Sequence, residues 1–353
     1  MVPLCLLNHA RRLARIIGMA LLSPFAAASA HASDPALLVL EQKIPLGKVS
    51  GRIDHLAIDP DRRRLFVAEL GNNSVGVIDL DAGRLVRNLS GLKKPQGVAY
   101  VKSTDTLYVA NAGDGAVQLF QGPDLVASGR IELGEDADNI RVDPSGDTVF
   151  VGYGRGALAV ISPSRRAKIA EIPLPAHPES FQLAGSGEQI FVNLPEVRQI
   201  AAVDTHEGKI RVAWAINDAQ DNFPMTLDEN RQRVLVMFRN PARLEAFAVS
   251  DGSVLAKTDA CGDSDDLFVD VTRQRVYVSC GEGFVDVFEW HGGKYLRMEH
   301  IPTAAGARTS LFVPELDRLF LAVRATWTEP AAIWVFRPTP GMSDYKQGRS
   351  VRP

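Results

Sequence analysis

The sequence predicts an all-β fold, a seven-bladed β-propeller of four-stranded antiparallel blades, from three observations. First, one phrase of strand, Gly/Asn turn, strand, Asp-Gly turn and strand recurs: "LFVAELGNNSVGVIDLDAGRLV" from Leu65, "LYVANAGDGAVQLFQGPDLV" from Leu107 and "VFVGYGRGALAVISPSRRAKI" from Val149. Second, the residues that lead successive repeats are Asp54, Gln96, Asp138, Glu179, Phe223, Asp265 and Thr309, at spacings of 42, 42, 41, 44, 42 and 44. Seven units of about 42 residues each have the length of a propeller blade. Third, no stretch beyond the amino-terminal segment shows a 3.6-residue apolar period.

The chain opens with a segment that is not part of this pattern. Arg11, Arg12 and Arg15 precede the apolar run "IIGMALLSPFAAA", and "ASA" (28–30) and "AHA" (30–32) supply small-residue cleavage sites. Residues 1–32 read as a secretory signal peptide, with Sec export preferred over twin-arginine export. Cys5 precedes the apolar run and is not read as a lipidated cysteine. Cleavage removes three arginines and no acids, leaving 36 bases against 42 acids, a charge of about −6. That balance argues against a nucleic-acid partner. No later run approaches the ~18 apolar residues of a spanning helix, so no membrane span is expected after cleavage. The expected product is a periplasmic or secreted monomer.

Within each repeat, "LFVA", "VFVG", "IFVN", "VLVM", "VYVS" and "LFLA" are β-branched and aromatic runs too short for stable helices. Gly, Asn, Asp and Pro bound them and supply the backbone angles of turns. Near-continuous apolar strands suit sheets covered on both faces. The seventh unit runs through "RLFLAV" and "AAIWVF" and lacks a fourth strand, whereas "ALLVLEQKIPLG" (36–47) reads as a fourth strand with no unit before it. This segment is expected to complete the last blade, closing the ring and hiding an exposed edge. The propeller domain is accordingly placed at 33–338 and a polar, disordered tail at 339–353.

Cys261 and Cys280 are the only cysteines after the signal segment. The repeat places Cys280 at the end of blade six's second strand and Cys261 in the loop leading into the same blade. An oxidising compartment favours a disulfide between them; the alternative is two separate buried thiols.

The phrases "LFVAELGNNSVGVIDLDAGRLV" and "LYVANAGDGAVQLF" resemble the YVTN-type (40-residue repeat) β-propeller proteins, over about residues 36–337. Units four and five depart most from that signature. The resemblance implies the fold and an exported location. It implies no single activity, because that family has none.

In a propeller, the leading residues of the inner strands and the ends of the second strands ring one channel mouth. The candidate ligand-binding residues there are Asp54, His55, Asp138, Asn139, Glu179, Asn222, Asp265, Asp266 and Arg308. "GEDADN" (134–139) and "CGDSDD" (261–266) make the rim unusually acidic. Crowded carboxylates need a cation, an arginine or a raised pKa. Arg52, Arg239, Arg308 and Arg324 are the internal partners on offer. The external one is Ca²⁺ or another divalent cation on Asp138, Glu179 and Asp265. His177, on the loop into blade four, is a further candidate, whereas His206 and His291 fall in turns on the outer side.

Other chemistries fail on context. "GYGRGA" (152–157) precedes no helix, no Ser sits in a G-x-S-x-G elbow, and the cysteines have no zinc-type spacing. The expectation is a binding or scaffold protein holding a small polar ligand or a protein partner at the mouth. The alternative is a metal-dependent lactonase, hydrolase or lyase at the same place, with His55 or His177 moving a proton.

Overall fold

The computed structural model describes residues 36–340, so the expected signal peptide and all but the first two residues of the expected tail lie outside the described residues. The described residues form seven four-stranded antiparallel sheets. Blade one sets the pattern with Leu56–Asp59, Arg64–Glu69, Ser74–Asp79 and Arg84–Ser90. Its second strand is covered on both faces, and Leu65, Phe66, Val67 and Ala68 are each fully buried. Its fourth strand is mostly exposed, with Leu89 turned inward. The near-continuous apolar runs are therefore the middle strands, where sheet packs on sheet.

The recurring Asp-x-x-x-Gly phrase has a local cause. In blade one the Asp79 carboxylate accepts the backbone N–H groups of Asp81 at 3.0 Å and Ala82 at 2.9 Å, and Gly83 takes a φ of +60°. In blade four Asp204 does the same for His206 and Glu207, both at 2.9 Å, before Gly208 at φ +64°. A side chain that mimics the backbone acceptor and a residue free to adopt positive φ are what this turn needs. His206 is thus a turn residue.

Apolar side chains fill the seams between blades. Seven clusters each join one pair of neighbours, including a cluster in which Leu65 and Val67 of blade one meet Val313, Phe320 and Ile333 of blade seven. Burying several such side chains per seam at about 25 cal/mol per Å² is the main force holding the blades side by side.

Blade seven consists of Ser310–Val313, Arg318–Val323, Ala332–Pro338 and, outermost, Leu38–Pro45. The last two pair antiparallel from Leu38↔Pro338 to Pro45↔Ala332. Ile44 and Leu46, each 1% exposed, pack into the seam with blade one. Glu41 clamps the pair by ion pairs to Arg318 at 2.7 Å and Arg337 at 2.6 Å. Thr339, expected in the tail, donates its N–H to Leu37 at 2.9 Å.

The strand register corrects one expectation. Ser310 pairs with Leu321 as Leu56 pairs with Val67, so Arg308, not Thr309, stands level with Asp54. Consistently, the carbonyls of His55 and Thr309 accept equivalent N–H groups, from Ala68 and Ala322. Residue spacing alone cannot choose between two adjacent polar residues; the ladder can. Among the described residues no helix is long and apolar enough to cross a membrane.

Candidate functional site

The inner strands present side chains to the channel in levels. The first is Asp54, Gln96, Asp138, Glu179, Phe223, Asp265 and Arg308, one residue from each blade. With residues of the surrounding loops, this level lines a mouth cavity of about 820 Å³ and the neck of about 30 Å³ beneath it. Below the neck the channel widens to a chamber of about 350 Å³. There the corresponding level is Ala57, Ala99, Arg141, Gln182, Thr226, Phe268 and Leu311. Asp138 and Asp265, expected at the same mouth, both line it.

One wall of the mouth is basic and organised around Asp265. Its carboxylate lies 2.6 Å from Arg308 Nε, contacts Arg239 and faces Arg52 at 3.9 Å. Arg308 also reaches Asp263 at 2.7 Å, Arg52 pairs with Asp54 at 2.9 Å, and Arg239 lies 4.0 Å over the Phe223 ring. Burial raises the pKa of Asp265 despite the three guanidiniums. The loop that carries Asp263 and leads into Asp265 on the inner strand Ser264–Asp270 is fixed from below. Cys261 and Cys280 form the expected disulfide, with Cα atoms 5.8 Å apart. Cys261 N–H donates to Asp286 and Gly262 N–H to Glu282, both at 2.8 Å.

The opposite wall is acidic. Glu135, Asp136, Asp138 and Glu179 line it from blades three and four. Burial, then the charge of Asp138, push the Glu179 carboxyl up to about 7. The nearest base to Asp138 is His177, whose Nε2 stands 4.0 Å away. His177 Nδ1 donates to the Gly154 carbonyl at 2.6 Å, which turns Nε2 toward the cavity. Burial works against a charged ring here, but Asp138, the Gly154 carbonyl and Asp136 together outweigh it and lift His177 to about 9.

The neck is a polar plug. His55 lies between Asp266, 3.5 Å from Nδ1, and Asp54, 3.7 Å from Nε2. Burial opposes the imidazolium, but Asp266 and Asp54 raise it to about 9. Burial raises Asp54 to about 6, while His55 and Arg52 pull against that rise. Asn139 donates to the Glu179 carbonyl, and its own Oδ1 is buried without a partner among the described residues.

Of the sequence candidates, Asp138, Glu179, Asp265 and Arg308 meet at the mouth, and Asp54, His55, Asn139 and Asp266 line the neck. Asn222 does not join them. It is 1% exposed and its amide donates to Asn193 Oδ1 and the Gln199 carbonyl, both at 3.1 Å. A register shift between Asn222 and Met225 removes it from the channel-facing series. Of the four arginines on offer, Arg52, Arg239 and Arg308 neutralise the rim; Arg324 makes no ion pair among the described residues. A divalent cation on Asp138, Glu179 and Asp265 does not fit this arrangement. Among the described residues no three His, Cys, Asp or Glu side chains group to hold a metal, and Asp265 already faces three guanidiniums.

Sequence reasoning missed Lys94, Arg155 and Glu196 at the mouth and Arg141 in the chamber. The signal for Arg141 was present. Aligning "HLAI", "GVAY" and "NIRV" puts Arg141 where the other two blades have Ala57 and Ala99.

No protein-family model matches the chain, and no curated protein does. Solved structures are similar. A chain of Kuenenia stuttgartiensis hydrazine synthase aligns with a TM-score of 0.70 at 17% identity, over 76% of this chain and 91% of its own. A chain of the mitotic checkpoint complex aligns with a TM-score of 0.73 at 12% identity, over 93% of this chain and 99% of its own. At such identities the likeness concerns the fold, and it agrees with the seven blades: the chain is a seven-bladed β-propeller.

Proposed function

We propose that this protein is an exported YVTN-type propeller that binds, without turning over, a small polar ligand carrying both a cationic and an anionic group. The observation that carries this is the division of charge across the mouth. Guanidiniums of Arg52, Arg239 and Arg308 come from blades one, five and seven, and the carboxylates of Asp138 and Glu179 face the cavity from blades three and four. The ligand's cationic group goes to Glu179 and Asp138. Its anionic group goes to the guanidinium wall of Arg52, Arg239 and Arg308, all of which line the cavity.

The cavity of about 820 Å³ suits a small molecule. The amino-terminal segment supports export to the periplasm or beyond, and the repeat phrase supports the YVTN grouping.

Calorimetric titration of the purified protein with amino acids, betaines and dipeptides tests this reading. Saturable binding that weakens at least about tenfold in both Glu179→Gln and Arg308→Gln is expected. Binding of purely anionic compounds that survives Glu179→Gln contradicts it. Steady consumption of a lactone or other substrate that stops in Asp138→Ala would instead assign the mouth to a hydrolase or lyase.

A further inference from the structure

We propose that the inner chamber is a second binding site, for a small organic carboxylate with an apolar body, held by Arg141. The inference is independent of what binds at the mouth. Arg141 projects from the inner strand Ile140–Val142 into the chamber of about 350 Å³. At the same level the other six blades contribute Ala57, Ala99, Gln182, Thr226, Phe268 and Leu311, all uncharged. One positive charge thus stands in an otherwise uncharged ring, with Asp266 and His55 lining the same chamber.

That charge lacks the partners its neighbours have. Arg52, Arg239 and Arg308 are each ion-paired, whereas Arg141 makes no ion pair among the described residues. Among the described residues its one hydrogen bond to protein runs from Nη1 to the Ile140 carbonyl at 2.8 Å, and its guanidinium carbon stands 5.8 Å from the centre of the Phe181 ring. The nearer carboxylates are already engaged. Asp266 faces His55 at 3.5 Å and accepts the Ser310 N–H at 2.9 Å, and Asp138 faces His177. Burial pushes the Arg141 guanidinium down from its ordinary value, in keeping with a desolvated charge.

A half-buried guanidinium without an ion pair among the described residues presents a planar fork of donors that matches a carboxylate edge. Phe268 and Leu311 supply apolar surface for the rest of the ligand. The neck of about 30 Å³ passes little more than a water, so such a ligand reaches the chamber from the end of the channel away from the mouth.

Calorimetry and thermal-shift measurements with benzoate as the probe, and benzamide as its neutral counterpart, test the proposal. Benzoate is expected to bind saturably and raise the melting temperature, and benzamide to do neither. Arg141→Gln is expected to weaken benzoate at least about tenfold, without lowering the melting temperature of the free protein, because it removes an unpaired charge. Thr226→Phe, which fills the chamber and leaves the guanidinium in place, is expected to weaken benzoate similarly. Absence of benzoate binding, equal binding of benzamide, or benzoate binding that persists in both variants would overturn the proposal.

Discussion

Asp265 and Arg308, from blades six and seven, form an ion pair at 2.6 Å that joins two neighbouring blades at the channel mouth. Their side chains are only 11% and 16% exposed, so water screens the pair little. Asp265 is also the shared counter-charge of Arg239 and Arg52. Removing it leaves three guanidiniums converging on Asp263 and Asp54 alone. Asp265→Ala is therefore expected to cost about 3 kcal/mol, as the loss of one partner from a buried pair does. Chemical denaturation measures it. A change below about 0.5 kcal/mol would mean that the arginines simply turn to solvent.

Stability is expected to fall steadily between about pH 5 and pH 9, the consequence of four groups shifted in one direction. Glu179 is raised from 4.5 to about 7 and Asp54 from 3.8 to about 6. The folded chain keeps these protons where the unfolded chain has released them. Their contribution is complete below the ordinary carboxylate values and is lost as pH rises through about 6 and 7. His55 and His177 are raised from 6.5 to about 9. Their contribution is complete below 6.5 and is lost as pH rises through about 9. Glu179→Gln is expected to flatten the lower part of the profile and His177→Gln the upper part. Melting temperatures across the range check this, and a profile that climbs from pH 5 to 9 would contradict all four assignments.

Reduction of the Cys261–Cys280 bridge is expected to cost about 3 kcal/mol, the loop-closure value for a separation of this size. The two residues are 19 apart, and the bridge ties the loop of Asp263, which leads into the strand of Asp265, to the end of a buried strand. Denaturation with and without reductant, alongside a mass measurement of the thiol state, gives the number. Ligand binding at the mouth is expected to weaken in the reduced protein, since the basic wall hangs on that loop.

The fold was legible because each blade repeats the same local solution. Apolar middle strands recur at nearly constant spacing, and the Asp-x-x-x-Gly turns of blades one and four are explained by residues within them, as Asp79 and Gly83 show. The candidate site was legible at its levels, because the leading positions repeat with the blades; Asp138, Glu179 and Asp265 fall where their spacing puts them. What escaped depends on contacts between distant parts of the chain. The division of the mouth into a basic and an acidic wall arises from Arg52, Arg239 and Arg308 converging on Asp265 from three blades. Asn222 was misplaced because a register shift, invisible in the residue spacing, removes it from the channel-facing series. Arg141 was overlooked because an arginine in a short strand reads as solvated until the ring around it is seen to be neutral.

Gly97 links fold to site at closest range. It belongs to the inner strand of blade two, and a Cβ added there would collide with the Asp138 carbonyl oxygen and lie 3.1 Å from Ile140 N. Those atoms are backbone, so no flexible side chain can yield; blade three must shift at the residue that lines the mouth. Gly97→Ala is expected to cost about 1–3 kcal/mol through overpacking and to weaken ligand binding by displacing Asp138. Gly129→Ala is the matched control, since its Cβ would meet only Leu119 Cδ2 at 3.8 Å. There the loss of unfolded-state freedom predicts a gain of about 0.4–1 kcal/mol. Equal effects from the two substitutions, in paired denaturation curves, would show that the contact between Gly97 and blade three does not set the position of Asp138.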